Sequence, residues 1–116
     1  MNDRTLSRDD RIRTRSDFKR IFDTNTTHAN DVYRVLATDS GTTRSRLGVV
    51  VKKALGNAVQ RNREKRLVRE LFRTNRDVIP GGYDYIVIIR RRIEIAFSVR
   101  QEKFVALFKR YQRTSA

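Results

Sequence analysis

Apolar residues recur along the chain in two rhythms, which divide it into helices and strands. Phe18, Ile21 and Phe22 share one side of a short helix that Thr14 opens, with Asp17 three residues on in capping-box order. Runs rich in Val, Ile and Tyr at Val32–Thr38, Arg46–Val51 and Tyr83–Arg90 read as strands, with a short fourth around Thr26–Asn30. Asp39-Ser40-Gly41-Thr42 reads as a hairpin loop between Val32–Thr38 and Arg46–Val51, and Pro80-Gly81-Gly82 as the turn before the last strand. Asn57–Arg73 contains no breaker and predicts a helix of about four turns or more. Within it Leu67, Val68, Leu71 and Phe72 share one arc that would pack on the sheet. Asn62, Arg66, Arg69 and Arg73 line the opposite arc, while Gln60, Arg61 and Glu64 fall in or beside the apolar one, so this helix end should project past the core. Ser98 with Gln101 repeats the capping device ahead of Phe104, Leu107, Phe108 and Tyr111. Helix, strands, long helix, strand, helix predicts a compact α+β sandwich, and 116 residues suffice for one domain.

Charge changes the picture from a fold to a partner. The chain carries 27 Lys+Arg against 13 Asp+Glu, a formal net charge of +14. Such self-repulsion on a small domain points to a polyanion. Arginine outnumbers lysine 21 to 6, and guanidinium forks suit phosphate and base stacking better than generic solubility. Residues 52–73 alone hold eight basic side chains and two acidic ones. Excess packed in mid-chain is not a disordered basic tail.

Composition removes other classes of function. There is no cysteine, hence no disulfide, thiol nucleophile or thiolate metal site, and the single His28 has no base, nucleophile or orienting acid to work with. His28 therefore reads as a surface or packing residue. The carboxylates show no chelating spacing, Asp10 and Asp17 being two turns apart, so neither a catalytic residue nor a metal site is expected in the protein. Apolar runs such as Ile86–Ile89 fall far below a membrane span, and the N-terminus lacks an apolar signal segment; a cytoplasmic, leaderless protein is expected.

The stretch from Arg46-Leu-Gly-Val-Val-Val-Lys-Lys53 through Gly56-Asn-Ala-Val-Gln-Arg-Asn-Arg-Glu-Lys-Arg to Arg73 resembles the signature of the bacterial ribonuclease P protein subunit. Its centre is Arg61-Asn62-Arg63, the RNR motif. Asp17-Phe18 with Ile21-Phe22 is similar to that family's opening helix, and Gly82-Tyr83-Asp84-Tyr85 into Arg90 to its last strand; the resemblance spans roughly residues 10–111. It implies an αβββαβα sandwich like a domain of a small-subunit ribosomal protein. The four-stranded sheet would have a left-handed βαβ crossover through the RNR helix, where periodicity alone would suggest the commoner right hand. Residues 1–116 would form one such domain, with about 1–9 and 114–116 flexible.

The resemblance also implies a function: the non-catalytic protein part of an endoribonuclease that removes the 5′ leader from precursor tRNA. The partners implied are the ribonuclease P RNA, which performs the hydrolysis with Mg²⁺ held mainly by RNA, and the precursor tRNA with its leader. No membrane or protein partner is expected. Lys52, Lys53, Asn57, Arg61, Asn62, Arg63, Lys65, Arg66, Arg69 and Arg73 are the expected RNA contacts. Phe18, Phe22, Arg34, Leu36, Val49 and Val51 are the expected leader cleft. The chemistry of the residues agrees: Arg66 and Arg69 supply forks for phosphate, Asn62 can meet a base edge or 2′-hydroxyl, and Phe18 and Phe22 beside Lys19, Arg34 and Lys53 suit a single strand. Gly56 permits an unusual backbone angle before the helix, whose first amides at Asn57 and Ala58 form an anion site. Arg90-Arg91-Arg92 is either a second RNA patch or a solvated loop. The alternative function is a ribosomal or other structural RNA-binding protein with no processing role; a protein nuclease is opposed by the missing catalytic set.

Overall fold

The structure is a computed structural model that describes residues 7–111. Residues 1–6 and 112–116, which include most of the tails expected to be flexible, lie outside the described residues. Arg8–Asp10 already form a 3-10 turn with Asp10 buried.

The elements follow the expected order: α1 (Arg15–Asp23), β1 (Thr26–Ala29), β2 (Tyr33–Asp39), β3 (Arg46–Val51), α2 (Ala58–Thr74), β4 (Tyr83–Ile89) and α3 (Phe97–Phe108). Thr14 caps α1 by accepting from the Asp17 amide. Asn57 and Gln60 close a full capping box on α2. The cap expected at Ser98 is absent: α3 begins earlier, the amides of Val99 and Arg100 both reaching the Ala96 carbonyl, so Ser98 lies within the first turn.

The sheet order is β1-β2-β4-β3, with β3 parallel to β4 and the other pairs antiparallel. Asp39–Thr42 is therefore not a hairpin loop, because β4 lies between the strands it joins. The physical reason is in β4 itself. Asp84 to Val87 and Ile89 are buried on both faces, which only a central strand achieves.

Alternate residues of the sheet serve two cores. Val35, Ala37, Leu47, Tyr85, Val87 and Ile89 join Val68, Leu71 and Phe72 of α2 and Phe104, Leu107 and Phe108 of α3 in the larger one. Leu36 and Ile86 meet Ile12 and Ile21 on the other face, beneath α1. The result is a three-layer α+β sandwich, with α1 alone on one side. Gly48 permits this layer: a Cβ there would come within 2.9 Å of Phe18 Cζ. Among the described residues no helix is long and apolar enough to cross a membrane.

Candidate nucleic-acid interface

The register places three rows of side chains on the α1 face. The first crosses Thr38, Asp84 and Arg46; the second Thr27, Leu36, Ile86 and Gly48; the third Ala29, Arg34, Ile88 and Val50. Each row differs in chemistry, and together they make a cleft with an anchored end and an open end.

The first row anchors α1. Asp84 is fully buried and accepts from Arg46 Nε at 2.9 Å and Nη2 at 2.8 Å, and from Arg20 of α1. Arg46 also reaches Asp17 at 3.5 Å. The Asp84 carboxylate raises the Arg46 pKa further above its ordinary value. Burial would raise Asp17, but the Thr14 hydroxyl and Arg46 outweigh it and hold that carboxyl below its usual value. The second row lies under α1, with Leu36 buried and Phe18 half-buried against Gly48.

The third row is left open. Arg34 is exposed, Ile88 and Val50 are half-buried, and Arg34, Lys52, Arg90, Leu55 and Ile88 line a cavity of about 360 Å³. Phe22, 47% exposed, stands on α1 above the sheet. An apolar floor edged by cations suits the bases and phosphates of a single strand. Two expected members are elsewhere: Val49 and Val51 pack into the larger core on the opposite face, and Val50 takes their place. A run of three valines carries no alternation, so only the pairing with β4 sets its parity. Lys19, expected to serve the aromatics, is instead paired with Asp23 at 2.8 Å.

On α2 the expected stripe divides into exposed and braced residues. Asn62, Arg63 and Arg66 are exposed, as are Lys52 and Lys53 before the helix, and Lys65 is half-buried. Arg61 is a brace, donating to the Gly56 carbonyl at 2.9 Å and so tying the turn to the helix. Asn57 spends its side chain as the cap, and its amide donates to Gln60 Oε1 at 2.9 Å, which removes that amide from the expected anion site. Gly56 sits at φ +148°, where a Cβ would strike Gln60. Arg73 engages Glu70. Arg90 and Arg92 donate to the carbonyls of Asn30 and Leu55, while Arg91 is exposed.

Arg69 belongs to a feature the sequence does not signal. Burial, followed by the charge of Arg11, lowers its pKa from the ordinary arginine value. The Arg11 Nε is buried and has no hydrogen-bond partner. The charge of Arg11 thus acts on Arg69 while the acid beside Arg11 in the chain, Asp10, is taken by Arg44 at 2.6 Å and Arg76 at 3.2 Å. Nothing in the row of N-terminal arginines distinguishes Arg11; the isolated parallel bridge of Arg11 to Leu47 places it there.

His28 is a packing residue, edge-on to Tyr111 at 4.7 Å, with its pKa lowered by burial and by Arg110. Among the described residues no three His, Cys, Asp or Glu converge as a metal site, and the buried acids face arginine.

Comparison with known proteins gives one consistent result. The profile of the family described as Ribonuclease P matches residues 6–112. The chain is 40% identical over 113 residues to the ribonuclease P protein component of Thermotoga maritima, covering 93% of this chain and 97% of that one. It is 38% identical over 116 residues to that of Pseudomonas aeruginosa, covering 97% and 85%. Among solved structures, the RNase P protein from Thermotoga maritima superposes with a TM-score of 0.83 at 41% identity, over 89% of this chain and 98% of that one. The Staphylococcus aureus RNase P protein does so with 0.76 at 33%, over 86% and 93%.

Proposed function

Because the chain belongs to the ribonuclease P protein family, which implies an RNA partner subunit, we propose that it binds that RNA and the single-stranded 5′ leader of precursor tRNA. In this reading the RNA carries out the hydrolysis that removes the leader. The protein would act in the cytoplasm as a component of the endoribonuclease, without a catalytic residue of its own.

The observation that carries the reading is the distribution of unneutralised cations. Acids are drawn into the anchors of the fold: Asp84 by Arg46 and Arg20, Asp10 by Arg44 and Arg76. Arg11, Arg66 and Arg69 are left along one side, Arg63 on the adjoining flank of α2, and Arg34 and Lys52 in the cleft, with no acid partner among the described residues. A phosphate beside Arg11 and Arg69 would relieve their repulsion. The stripe fits a folded RNA and the open third row a single strand. Carboxylates already engaged by guanidinium do not suit Mg²⁺, so the ion belongs with RNA phosphates and water.

Reconstitution tests this. Purified protein is expected not to cut precursor tRNA alone, and to lower the Mg²⁺ concentration at which the transcribed RNA subunit cuts it. Cleavage without RNA would refute the division of labour. RNA binding without stimulation would favour a purely structural RNA-binding role.

A further inference from the structure

A cavity of about 380 Å³ lies between the first half of α2, residues 92–95 and the start of α3. That volume is in the range of sites that hold small planar ligands. At 100° per residue its α2 members, Arg63, Glu64 and Leu67, fall on the flank of the helix away from Arg69. It is therefore separate from both the cleft and the Arg11–Arg69 pair.

The carboxylate of Glu64 lines this cavity, its side chain only 9% exposed. Its Oε1 is buried and accepts no hydrogen bond. The nearest cation, Arg100 Nη1, is 3.6 Å away, and Arg100 directs its donors to the Tyr33 hydroxyl at 3.0 Å and the Ile93 carbonyl at 2.8 Å. A carboxylate can accept about four hydrogen bonds, and leaving a buried one unsatisfied is costly. Arg100 thus pairs with the carboxylate by charge alone, and acceptor positions on it stay unfilled. Around it Leu67, Ile93 and Ile95 supply apolar walls, Phe97 an aromatic ring 49% exposed, and Arg63 and Arg92 exposed guanidiniums.

A planar group with two adjacent N–H donors answers that environment. Guanine offers them at N1 and N2. Adenine and cytosine place an acceptor beside their amino group, and uracil flanks one N–H with two carbonyls, so each would set an oxygen or nitrogen lone pair against the carboxylate. Unpaired bases splayed out of RNA are bound in this way, by edge hydrogen bonds and stacking. Resting on the RNA-binding role proposed above, we infer that this cavity receives one unpaired guanosine of the RNA subunit. Glu64 reads its Watson–Crick edge, Phe97 stacks on it, and Arg63 and Arg92 meet the adjacent phosphates.

Inosine, which lacks the N2 amino group, is the probe. RNA subunits carrying sparse inosine substitutions are selected for binding to the wild-type protein, Glu64→Gln and Phe97→Ala. One unpaired guanosine is expected at which inosine weakens wild-type binding roughly tenfold, with that penalty absent in Glu64→Gln and reduced in Phe97→Ala. Phe97 is half-exposed, so its variant keeps the test decisive should Glu64→Gln fold poorly. No position showing this dependence on either residue overturns the inference. Tight binding of 5′-GMP alone, without inosine interference, also overturns it and assigns the cavity to a free nucleotide. Stimulated cleavage without interference removes the pocket alone; interference without stimulated cleavage removes the processing role alone. No binding of the RNA subunit at all removes both.

Discussion

Replacing Asp84 by Asn removes the anion that ties α1 to the sheet. Asp84 is fully buried and receives two hydrogen bonds from Arg46 and one from Arg20. The amide keeps one acceptor and turns two N–H donors toward cations. Hydrogen bonds to charged groups contribute about 1.5–3 kcal/mol each. Arg46 and Arg20 are 31% and 39% exposed, however, so water recovers part of what they lose. The net cost should be about 3 kcal/mol, the lower end of the range for breaking a buried pair. At about 4 °C per kcal/mol for a domain of this size, the melting temperature falls by about 12 °C. Urea unfolding at neutral pH measures the loss from the midpoint at unchanged slope. A cycle with Arg46→Met tests its origin, since the Asp84→Asn cost should shrink by at least about 1 kcal/mol once Arg46 is gone. A loss under about 1 kcal/mol, or one equally large in the Arg46→Met background, would refute the anchoring role. Because α1 forms one wall of the cleft, affinity for leader-bearing precursor should fall more than affinity for mature tRNA.

Other expected outcomes follow from the same geometry. Gly48→Ala sets a Cβ 2.9 Å from Phe18 and should cost about 1–3 kcal/mol in thermal unfolding, with Phe18→Leu restoring part of it; full stability in the single variant would mean that α1 does not rest on β3. Arg11→Ala and Arg69→Ala should each reduce the salt dependence of RNA binding by roughly one unit while leaving urea stability equal or higher, since each relieves a like-charge contact; a lower stability at unchanged salt slope would contradict this. Phe22→Ala, at a half-exposed site, should weaken binding of leader-bearing precursor but not of mature tRNA, and equal losses would take Phe22 out of the cleft. Stability should also fall in acid. Burial would raise the Asp10 pKa, yet Arg44 and Arg76 hold it below 3.8, as Thr14 and Arg46 do for Asp17. The unfolded chain takes up protons first, so this stabilisation is complete above pH 3.8 and is lost as pH falls through the lower native values. Urea midpoints that stay flat from pH 5 to pH 2.5 would contradict it.

Periodicity and motif spacing were enough for the helices, the four strands and the outward face of α2. These are local properties: the 100° step of a helix puts Asn62 and Arg66 opposite Leu71 whatever they pack against. Thr14 was readable for the same reason, since a cap bonds within its own first turn, whereas Asn57, expected to offer a free amide, is itself the cap. Ser98 failed because the start of α3 is set by the buried Arg100 reaching Ile93 and Tyr33.

What stayed hidden depends on which strands pair. Chain order suggested that β2 and β3 are neighbours, and only β4, buried on both faces, separates them. That insertion sets the parity of Val49, Val50 and Val51, and so decides which valine floors the cleft. It also brings Asp84 between Arg46 and Arg20, residues far apart in the chain. The charge of Arg11 acting on Arg69 and the buried pairing of Glu64 with Arg100 are of the same kind. A sequence reports how much charge a chain carries and which local face it occupies; whether a given arginine is spent on a carboxylate or left for a phosphate is settled by contacts between distant segments.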